Sequence, residues 1–384
     1  MFDLPTFRVG RVFGIPIEVN ATWLIIFGLL SFTLATGYYP SIAATKDAPT
    51  WQVAVVAVVS ALLFFASVVL HELGHSLVAR AGGVKVNRIT LFLLGGVSQM
   101  EDEPHSAGRE FVMAFAGPAV SFVIALLAFI GGQGLRQMDA QWWLWAPLGY
   151  LALVNMLVGI FNLLPGFPLD GGRVLRSILW GATGDLLKAT KWAARVGQVI
   201  GWGMVLLFVF NLLSGGSLSG GDPLGLIWLA LIGWFVASMA ATAYRQALLK
   251  RQLSAFSVRS AMSPSPQTIP GEISLEDSAH LYFLGGRHSR YPVLHGGQII
   301  GLITLPMLKD VPRDQWPFTI VAQAADRDLA QLLIDADAHV DEALVRLAQD
   351  RPGALLVVAE GRLVGILTRS DVVHLLQRGG AAGG

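Results

Sequence analysis

Long apolar segments, separated by short polar ones, fill the first 244 residues of the chain. Residues 53–70, for example, carry no charged side chain. A helix needs about 20 apolar residues to cross a bilayer, and segments near that length lie at 21–39, 52–72, 111–131, 142–163, 196–213 and 225–243. The pattern therefore predicts a polytopic α-helical membrane protein, with about six transmembrane helices in a first domain of residues 1–250.

The pattern changes after residue 250, where charges of both signs appear among alternating β-rich and helical runs. Residues 299–304, Ile-Ile-Gly-Leu-Ile-Thr, recur as Leu-Val-Gly-Ile-Leu-Thr at 363–368, an offset of 64 residues. Each copy follows a turn and a β-rich run, and helical patterns flank both. We therefore expect residues 251–384 to form an α/β domain from two paired repeats of about 255–312 and 316–378.

The composition supports a membrane location for most of the chain. Hydrophobic residues make up 54% of the 384 positions and charged residues 14%, whereas soluble domains contain about a quarter charged residues. The net charge of +1 gives no reason to expect nucleic-acid binding. The chain has no cysteine, so disulfides, thiolate ligands and cysteine nucleophiles are excluded, and a metal would have to be held by histidine and carboxylate.

Basic residues predict the orientation, because cytoplasmic loops are enriched in lysine and arginine. Residues 1–20 lack the apolar core and cleavage site of a signal peptide. One side of the predicted bundle carries only Lys46 and Arg136, whereas the side of the termini carries Arg8, Arg11, Arg80, Lys85, Arg88, Arg109, Arg173, Arg176, Lys188, Lys191, Arg195, Arg245, Lys250 and Arg251. We therefore expect a multi-pass protein of the plasma membrane, with both termini and the second domain in the cytoplasm.

Residues 71–75, His-Glu-Leu-Gly-His, lie where the second apolar segment ends. Residues four apart share a helix face, so His71 and His75 can bind one metal ion, and Glu72 is placed to act on water as a base. Ionisable groups are costly in a bilayer, and there they usually mark a function. The alternative, histidines that form only structural hydrogen bonds, is disfavoured because three ionisable groups meet hydrocarbon here.

A zinc hydrolase needs three protein ligands and one open position, so a third ligand is required. Asp170 is the best candidate in the apolar part of the chain, within residues 162–173, NLLPGFPLDGGR. Pro165 and Pro168 prevent a regular helix there, and the glycines after Asp170 are expected to let the backbone turn and approach the metal. The alternative role for Asp170 is to cap a helix that begins near Arg173. Capping and metal binding use different oxygens, so the two roles are compatible.

Several other positions are candidates for substrate contact. Asn155 and Asn162, seven residues apart on one helix face, can bind substrate or form hydrogen bonds between helices, and the sequence leaves both roles open. Gly95 and Gly96 follow an apolar run. We expect them in a re-entrant strand beside the active site, whose edge could pair with an extended substrate; the alternative is a buried loop. His105, in an acidic loop, is expected on the solvated surface.

Together these features resemble the site-2 protease family of intramembrane zinc metallopeptidases, in the bacterial and archaeal branch with a C-terminal pair of CBS domains. The resemblance rests on residues 71–75, the sequence Ala116-Gly117-Pro118, residues 162–172, the six spans and the tandem repeat. It therefore covers essentially the whole chain. One departure is Ser121, where a family member often carries asparagine.

The resemblance also implies roles for particular residues. His71, His75 and Asp170 would be the ligands of one zinc ion, and Glu72 would be the catalytic base. Asn162, together with Asn155, would contact the substrate.

The repeat resembles CBS domains, which in their family often bind adenine nucleotides between the two copies. By this resemblance Thr304, Thr368 and Asp371 are nucleotide-binding candidates. The first copy has Met307 at the position matching Asp371, and methionine cannot accept bonds from a ribose, so at most one good site is expected. A purely structural or dimerising pair without nucleotide, giving a homodimer, is equally compatible.

The function expected from these features is zinc-dependent intramembrane endopeptidase activity. Regulated intramembrane proteolysis of a single-span membrane protein, such as an anti-sigma factor or another regulator, would be its role. A nucleotide at the CBS pair would alter substrate access. The alternative is a CBS-gated membrane transporter or channel whose polar groups line an ion path, and a third interpretation is a catalytically silent scaffold.

Overall fold

The computed structural model describes residues 5–92, 95–100, 104–214, 223–286, 288–348 and 353–381. Two compact units divide the chain, residues 1–246 and 247–384. Their boundary falls inside the last long helix, a few residues before the predicted one at 250.

Six helices of the described chain are long and apolar enough to cross a membrane, which confirms the predicted fold class. With a shorter helix, α5, between the fourth and fifth of them, the helices of the first unit are α1 (Trp23–Thr33, continued by irregular turns to Ser41), α2 (Thr50–Ala81), α3 (Ala107–Gln137), α4 (Trp142–Asn162), α5 (Asp170–Thr183), α6 (Leu186–Leu213) and α7 (Pro223–Leu253).

Three of the helices, α2, α6 and α7, begin or end about nine or ten residues outside the predicted segments. Helix α2 continues to Ala81, so His71 and His75 lie about two to three turns inside it rather than at its end. Helix α6 begins at Leu186 because Asp185 caps it, the carboxylate accepting a hydrogen bond from the backbone N–H of Lys188 at 3.0 Å. Apolar patterning marks the part of a helix that can lie in lipid, but not its polar extension beyond the lipid.

A small sheet accompanies the helices of the first unit. Its strands are β1 (Thr6–Val12), β2 (Ile15–Asn20), β3 (Val86–Phe92) and β4 (Gly95–Met100), in that order, with β2 and β3 parallel and the other neighbours antiparallel. Strand β4 therefore ends the sheet, and the expectation of a strand at Gly95 and Gly96 rather than a buried loop is met. The sequence analysis missed the β1–β2 hairpin, although Gly14, at φ 80° in its turn, is a typical hairpin signal.

The segment between α4 and α5 is non-helical, as its two prolines predict, but its glycines serve another purpose than expected. A Cβ on Gly171 would lie 2.3 Å from the carbonyl oxygen of Leu163, and one on Gly172 would lie 2.3 Å from the carbonyl carbon of Gly166. Both glycines are therefore required because the first turn of α5 packs directly on the preceding backbone. Neither glycine has a positive φ, so their observed role is close packing of the segment that carries Asp170 rather than a sharp turn.

A buried ion pair joins α5 to α3. Glu110, 1% exposed, accepts hydrogen bonds from the guanidinium of Arg176, 7% exposed, and that guanidinium also lies 5.2 Å from the ring centre of Phe167. Removing either partner alone would leave an uncompensated buried charge, which is strongly destabilising. Arg176 is thus an internal contact and not one of the surface charges that indicate membrane orientation.

The second unit contains two sheets and short helices, as the repeat predicts. One sheet has the order β6 (Ile269–Pro270), β7 (Arg290–His295), β8 (Gln298–Thr304), and the other has the order β5 (Ser263–Pro264), β11 (Arg362–Thr368), β10 (Ala354–Ala359), β9 (Leu333–Asp335). The helices are α8 (Val258–Ala261), α9 (Leu275–Ser278), α10 (Leu305–Asp310), α11 (Val321–Ala324), α12 (Leu329–Leu332), α13 (Val340–Ala348) and α14 (Arg369–Ala381).

The two repeats share strands and core. Strand β5 precedes the first repeat's sheet in the chain, yet it pairs with β11 of the second. Leu302 of the first copy is fully buried in one cluster with Leu332 and Leu356 of the second. Neither repeat therefore has a complete core alone, which explains why the two occur as a pair.

Candidate metal centre

Helices α2 and α5 bring the three predicted metal ligands together. The Oδ2 atom of Asp170 lies 3.2 Å from Nε2 of His71 and 3.2 Å from Nε2 of His75, and the two Nε2 atoms are 3.3 Å apart. A tetrahedral zinc ion with bonds of about 2.0–2.1 Å separates its ligand atoms by about 3.3–3.4 Å. The three atoms therefore form one face of a tetrahedron of the right size for zinc.

The hydrogen bonds on the far side of the rings explain why a cation fits here. The Nδ1 atom of His75 lies 2.7 Å from the carbonyl oxygen of Met113, which can only accept, so Nδ1 carries the proton. A neutral ring then has its lone pair on Nε2, directed at the carboxylate of Asp170 and at His71. Both histidines are 5% exposed. A positive charge between electron-rich atoms this close and this buried offsets their mutual repulsion.

The second ring is oriented by Ser121 of helix α3. Its hydroxyl lies 2.9 Å from Nδ1 of His71 and is fully buried. Partners of this kind fix the orientation of a metal-binding imidazole. The position at which the sequence departs from the resembled family is thus in direct contact with a metal-ligand candidate. That contact, like the one at Met113, was missed, because no local motif links residues 50 positions apart.

Glycine at position 117 provides the space for the two rings. A Cβ on Gly117 would lie 2.2 Å from Nε2 of His75 and 2.6 Å from Nε2 of His71. Gly74 allows the same close approach from the α2 side, where a Cβ would lie 2.9 Å from the side chain of Val120. Gly117, which lies in the Ala116-Gly117-Pro118 sequence of the family resemblance, and Gly74 therefore both shape the metal centre.

Asp170 is the first residue of α5, and the N-cap position before it is held by Leu169. The alternative in which this carboxylate caps a helix beginning near Arg173 is therefore wrong. The carboxylate instead faces the two histidines.

Glu72 is half-buried and faces strand β4. Its Oε2 atom accepts a hydrogen bond of 2.9 Å from the hydroxyl of Ser98. A Cβ on Gly96 would lie 2.7 Å from Cγ of Glu72, so only glycine fits beside this side chain. The strand predicted near the active site is therefore in contact with the candidate base.

The two asparagines differ in their surroundings. Asn155 is 2% exposed and donates hydrogen bonds to the hydroxyl of Ser67 at 3.1 Å and to the carbonyl oxygen of Leu151 at 2.9 Å. This is the interhelical role that the sequence left open. Asn162 is half-buried at the end of α4, and no hydrogen bond to its side chain is seen within the described residues. Of the two asparagines, only Asn162 thus has a side-chain amide available for substrate.

His105, which the sequence predicts on the surface, is exposed.

The nucleotide candidates of the second unit fall in different places. Thr368 and Asp371 line a cleft of about 440 Å³ with His288, Ser289 and Arg290. The carboxylate of Asp371 already accepts hydrogen bonds from Ser263 at 2.9 Å and from the Thr368 hydroxyl at 2.6 Å. Thr304 does not line this cleft, and its hydroxyl caps α10.

Comparisons with known proteins agree with this arrangement. The model of Peptidase family M50 matches residues 59–138 and 133–207, and that of the CBS domain matches 258–311 and 327–378. Two relatives carry the name "Putative zinc metalloprotease". The one called sll0528 from Synechocystis sp. is 36% identical over 97% of this chain and 96% of its own. The one called Rip3 from Mycobacterium tuberculosis is 35% identical over 96% of this chain and 92% of its own.

A solved structure, the site-2 protease from Methanocaldococcus jannaschii, is 35% identical, with a TM-score of 0.41, over 62% of this chain and 95% of that one. The sequence relatives place the chain among membrane-embedded zinc metalloproteases. It belongs to peptidase family M50 and carries a C-terminal pair of CBS domains.

Family membership decides between the functions that the sequence left open. The chain is a multi-pass zinc metalloprotease, and zinc is its metal; the part of the chain that the structure describes has six helices long and apolar enough to span a membrane. Membership in a metalloprotease family favours this function over the transporter or channel and over the silent scaffold.

We expect Gly117→Ala to abolish zinc binding. Its Cβ would lie 2.2 Å from the ring nitrogen of His75, so the imidazoles cannot keep their positions. Zinc content of the purified protein, measured by atomic absorption, should fall from one per chain to near zero. Gly131→Ala in the same helix is the matched control, because its nearest neighbour would be an ordinary 3.5 Å away at Leu148. A Gly117→Ala protein with full zinc would contradict the role assigned to Gly117.

We expect Ser121→Ala to weaken zinc binding about 10–100-fold, the usual effect of removing a partner that orients a metal-binding imidazole. Competition with a chromophoric chelator measures this affinity. Ser60→Ala is the control, since Ser60 is equally buried in α2 but hydrogen-bonds to Tyr39. Equal zinc affinity in both variants would show that Ser121 does not orient His71.

Proposed function

We propose that His71, His75 and Asp170 hold the zinc ion and that Glu72 is the catalytic base of an endopeptidase that cuts a membrane-spanning substrate. The observation that carries the proposal is the convergence of three lone-pair-bearing atoms at 3.2–3.3 Å, contributed by helices almost 100 residues apart. The donor set of two imidazoles and one carboxylate is typical of zinc hydrolases.

Zinc bound here supplies a Lewis acid that polarises a carbonyl and lowers the pKa of water. The protein does the rest. Glu72 takes a proton from the attacking water and passes it to the leaving amine. Its half-buried position leaves it open to the reacting groups, and Ser98 and Gly96 hold it on the side of strand β4.

The substrate that fits these surroundings is an apolar chain that is locally unwound. Peptide bonds in a helix are hidden in hydrogen bonds, so a transmembrane substrate must become extended before it can be cut. Strand β4 ends its sheet, and its backbone groups can pair with such a chain. An apolar groove of about 600 Å³ offers a further surface for an apolar chain; it is lined by α1, α2 and the strands β1 to β3, with residues including Phe7, Trp23, Leu70, Leu73 and Leu91. A single-span membrane protein meets these requirements.

We propose that the protein lies in the plasma membrane, with both termini and the CBS pair in the cytoplasm. This orientation rests on the excess of lysine and arginine on the side of the termini. Arg176 is not counted in this excess because it is buried. Lys46 and Arg136 remain alone on the opposite side.

For the second unit we propose that an adenine nucleotide binds in the cleft at Thr368 and Asp371 and changes the rate of proteolysis. The cleft has the size of a small-molecule site. Arg290 in its lining offers a charge for phosphate, and Asp371 offers acceptors for a ribose. To bind a ribose, Asp371 would exchange its hydrogen bond with Ser263.

We expect Glu72→Gln to retain zinc and the folded state but to lose cleavage of a model transmembrane substrate by at least about 100-fold, because a glutamine cannot accept the proton. Asp170→Ala should lose both zinc and activity. Zinc analysis and gel-based cleavage in detergent or proteoliposomes distinguish the two. Undiminished cleavage by Glu72→Gln would overturn the assignment of the base, and full zinc in Asp170→Ala would overturn that of the ligand.

For the nucleotide site, calorimetric titration of the full-length protein with AMP, ADP and ATP should give heat with at least one of them. Asp371→Ala should weaken that binding about tenfold or more, through the loss of charge-assisted hydrogen bonds. Asp314→Ala, at an exposed position outside the cleft, should leave it unchanged. Absence of heat with all three nucleotides would end the proposal.

A further inference from the structure

Three polar groups form a continuous chain between α2 and β4. Ser98 on β4 lies 2.9 Å from Oε2 of Glu72 and 3.0 Å from the hydroxyl of Ser76, and its oxygen is also 3.4 Å from the backbone carbonyl of Glu72. Glu72 and Ser76 are four residues apart and so share one face of the helix. That face of α2 is the one that contacts strand β4.

The donors and acceptors available allow only one direction for the hydrogen bonds that link Ser76, Ser98 and Glu72. An ionised carboxylate only accepts, and a hydroxyl has one proton to donate. Ser98 therefore gives its proton to Glu72, and the oxygen of Ser98 accepts the proton of Ser76. Ser76 is fully buried, so water cannot replace it as the donor. Ser76 in this way fixes the rotation of the Ser98 hydroxyl.

Neighbouring groups leave the Glu72 side chain little other freedom. Gly96, two residues before Ser98 on the same face of β4, meets the middle of the side chain, where a Cβ would lie 2.7 Å from Cγ. The strand thus contacts the base twice, once through van der Waals contact and once through a hydrogen bond. None of these groups belongs to the metal ligands.

We propose that Ser98 is a positioning residue for Glu72, and that Ser76 acts through it by fixing the direction of the Ser98 hydroxyl. This inference rests on the proposed function of Glu72 as the base. The Ser98 hydroxyl contacts Glu72 and Ser76 and none of the metal-ligand candidates. Its role is to hold one carboxylate oxygen so that the other remains free to accept the proton of the attacking water.

A paired substitution of Ser98 tests the hydroxyl separately from the shape of the side chain. Threonine and valine are both β-branched and suit a strand, but only threonine keeps the hydroxyl. Ser98→Val should lower kcat about tenfold or more, the range for losing one hydrogen bond to a charged group, with KM and zinc content unchanged. Ser98→Thr should recover most of kcat. Ser98→Ala, which adds no atoms, should match Ser98→Val and shows whether crowding contributes.

A double-variant cycle tests the role of Ser76. Ser76→Ala should lower kcat a few-fold in the wild-type background but should have no further effect in Ser98→Val, since the link through which it acts is already absent. Independent, additive losses would show that Ser76 acts by another route and would overturn that part of the proposal.

The outcomes separate this inference from the proposed function. A wild-type kcat in Ser98→Val, or equally slow Ser98→Thr and Ser98→Val, would overturn the positioning role while Glu72→Gln remains inactive. An active Glu72→Gln would remove the base itself, and the inference with it. A change confined to KM would assign Ser98 to substrate binding and would also overturn the proposal.

Discussion

Three electron-rich atoms held against one another inside an apolar bundle are the constraint on which the rest of the structure depends. The Nε2 atoms of His71 and His75 and the Oδ2 atom of Asp170 lie 3.2–3.3 Å apart, and without a cation this arrangement combines mutual repulsion with the cost of burying polar groups. Zinc binding is therefore coupled to the folding of this region. The surrounding packing serves the same end. Gly117 makes room for the rings, the carbonyl oxygen of Met113 accepts a hydrogen bond from His75, and the hydroxyl of Ser121 is hydrogen-bonded to His71, so the orientation of both rings is fixed.

The carboxylate ligand comes from a different part of the chain and needs its own support. The first turn of α5 packs backbone to backbone on the segment before it, at Gly171 and Gly172. Further along the same helix, Arg176 is bound to Glu110 of α3 in a buried ion pair. Helix α3 thus contacts the imidazoles directly and is also bound to α5, the helix that carries Asp170. One helix therefore positions both the histidines and the carboxylate of the metal centre. This explains how the distances between the ligand atoms can be held to within a few tenths of an ångström, although the ligands come from distant residues.

The sequence allowed the six spans, the tandem repeat and the His-His-Asp cluster to be predicted, since each depends on a local period or motif: apolar length, a 64-residue offset, and the spacing of His71 from His75. It did not allow the supports to be predicted. The contacts of Ser121 with His71, Met113 with His75 and Ser98 with Glu72 join residues that are distant in sequence, so only the tertiary fold creates them. From the sequence Arg176 could not be told from a surface charge, because its partner Glu110 is 66 residues away. The continuation of α2 to Ala81 was missed because the polar residues His71, Glu72 and His75 interrupt the apolar run from which the span was predicted.

Separate elements hold the ligands and the base, and this separation has a mechanistic consequence. Helix α3 orients the imidazoles, whereas strand β4 contacts Glu72 through Gly96 and Ser98. The same strand ends its sheet, so the element with free backbone groups for an extended chain is also the element that fixes the base. Pairing at that edge would stiffen β4 and with it the Ser98 hydroxyl, while the metal ligands, attached elsewhere, would keep their geometry. In the proposed mechanism, a chain paired at this edge therefore lies next to the base, while helices that carry no substrate-binding edge hold the metal ligands.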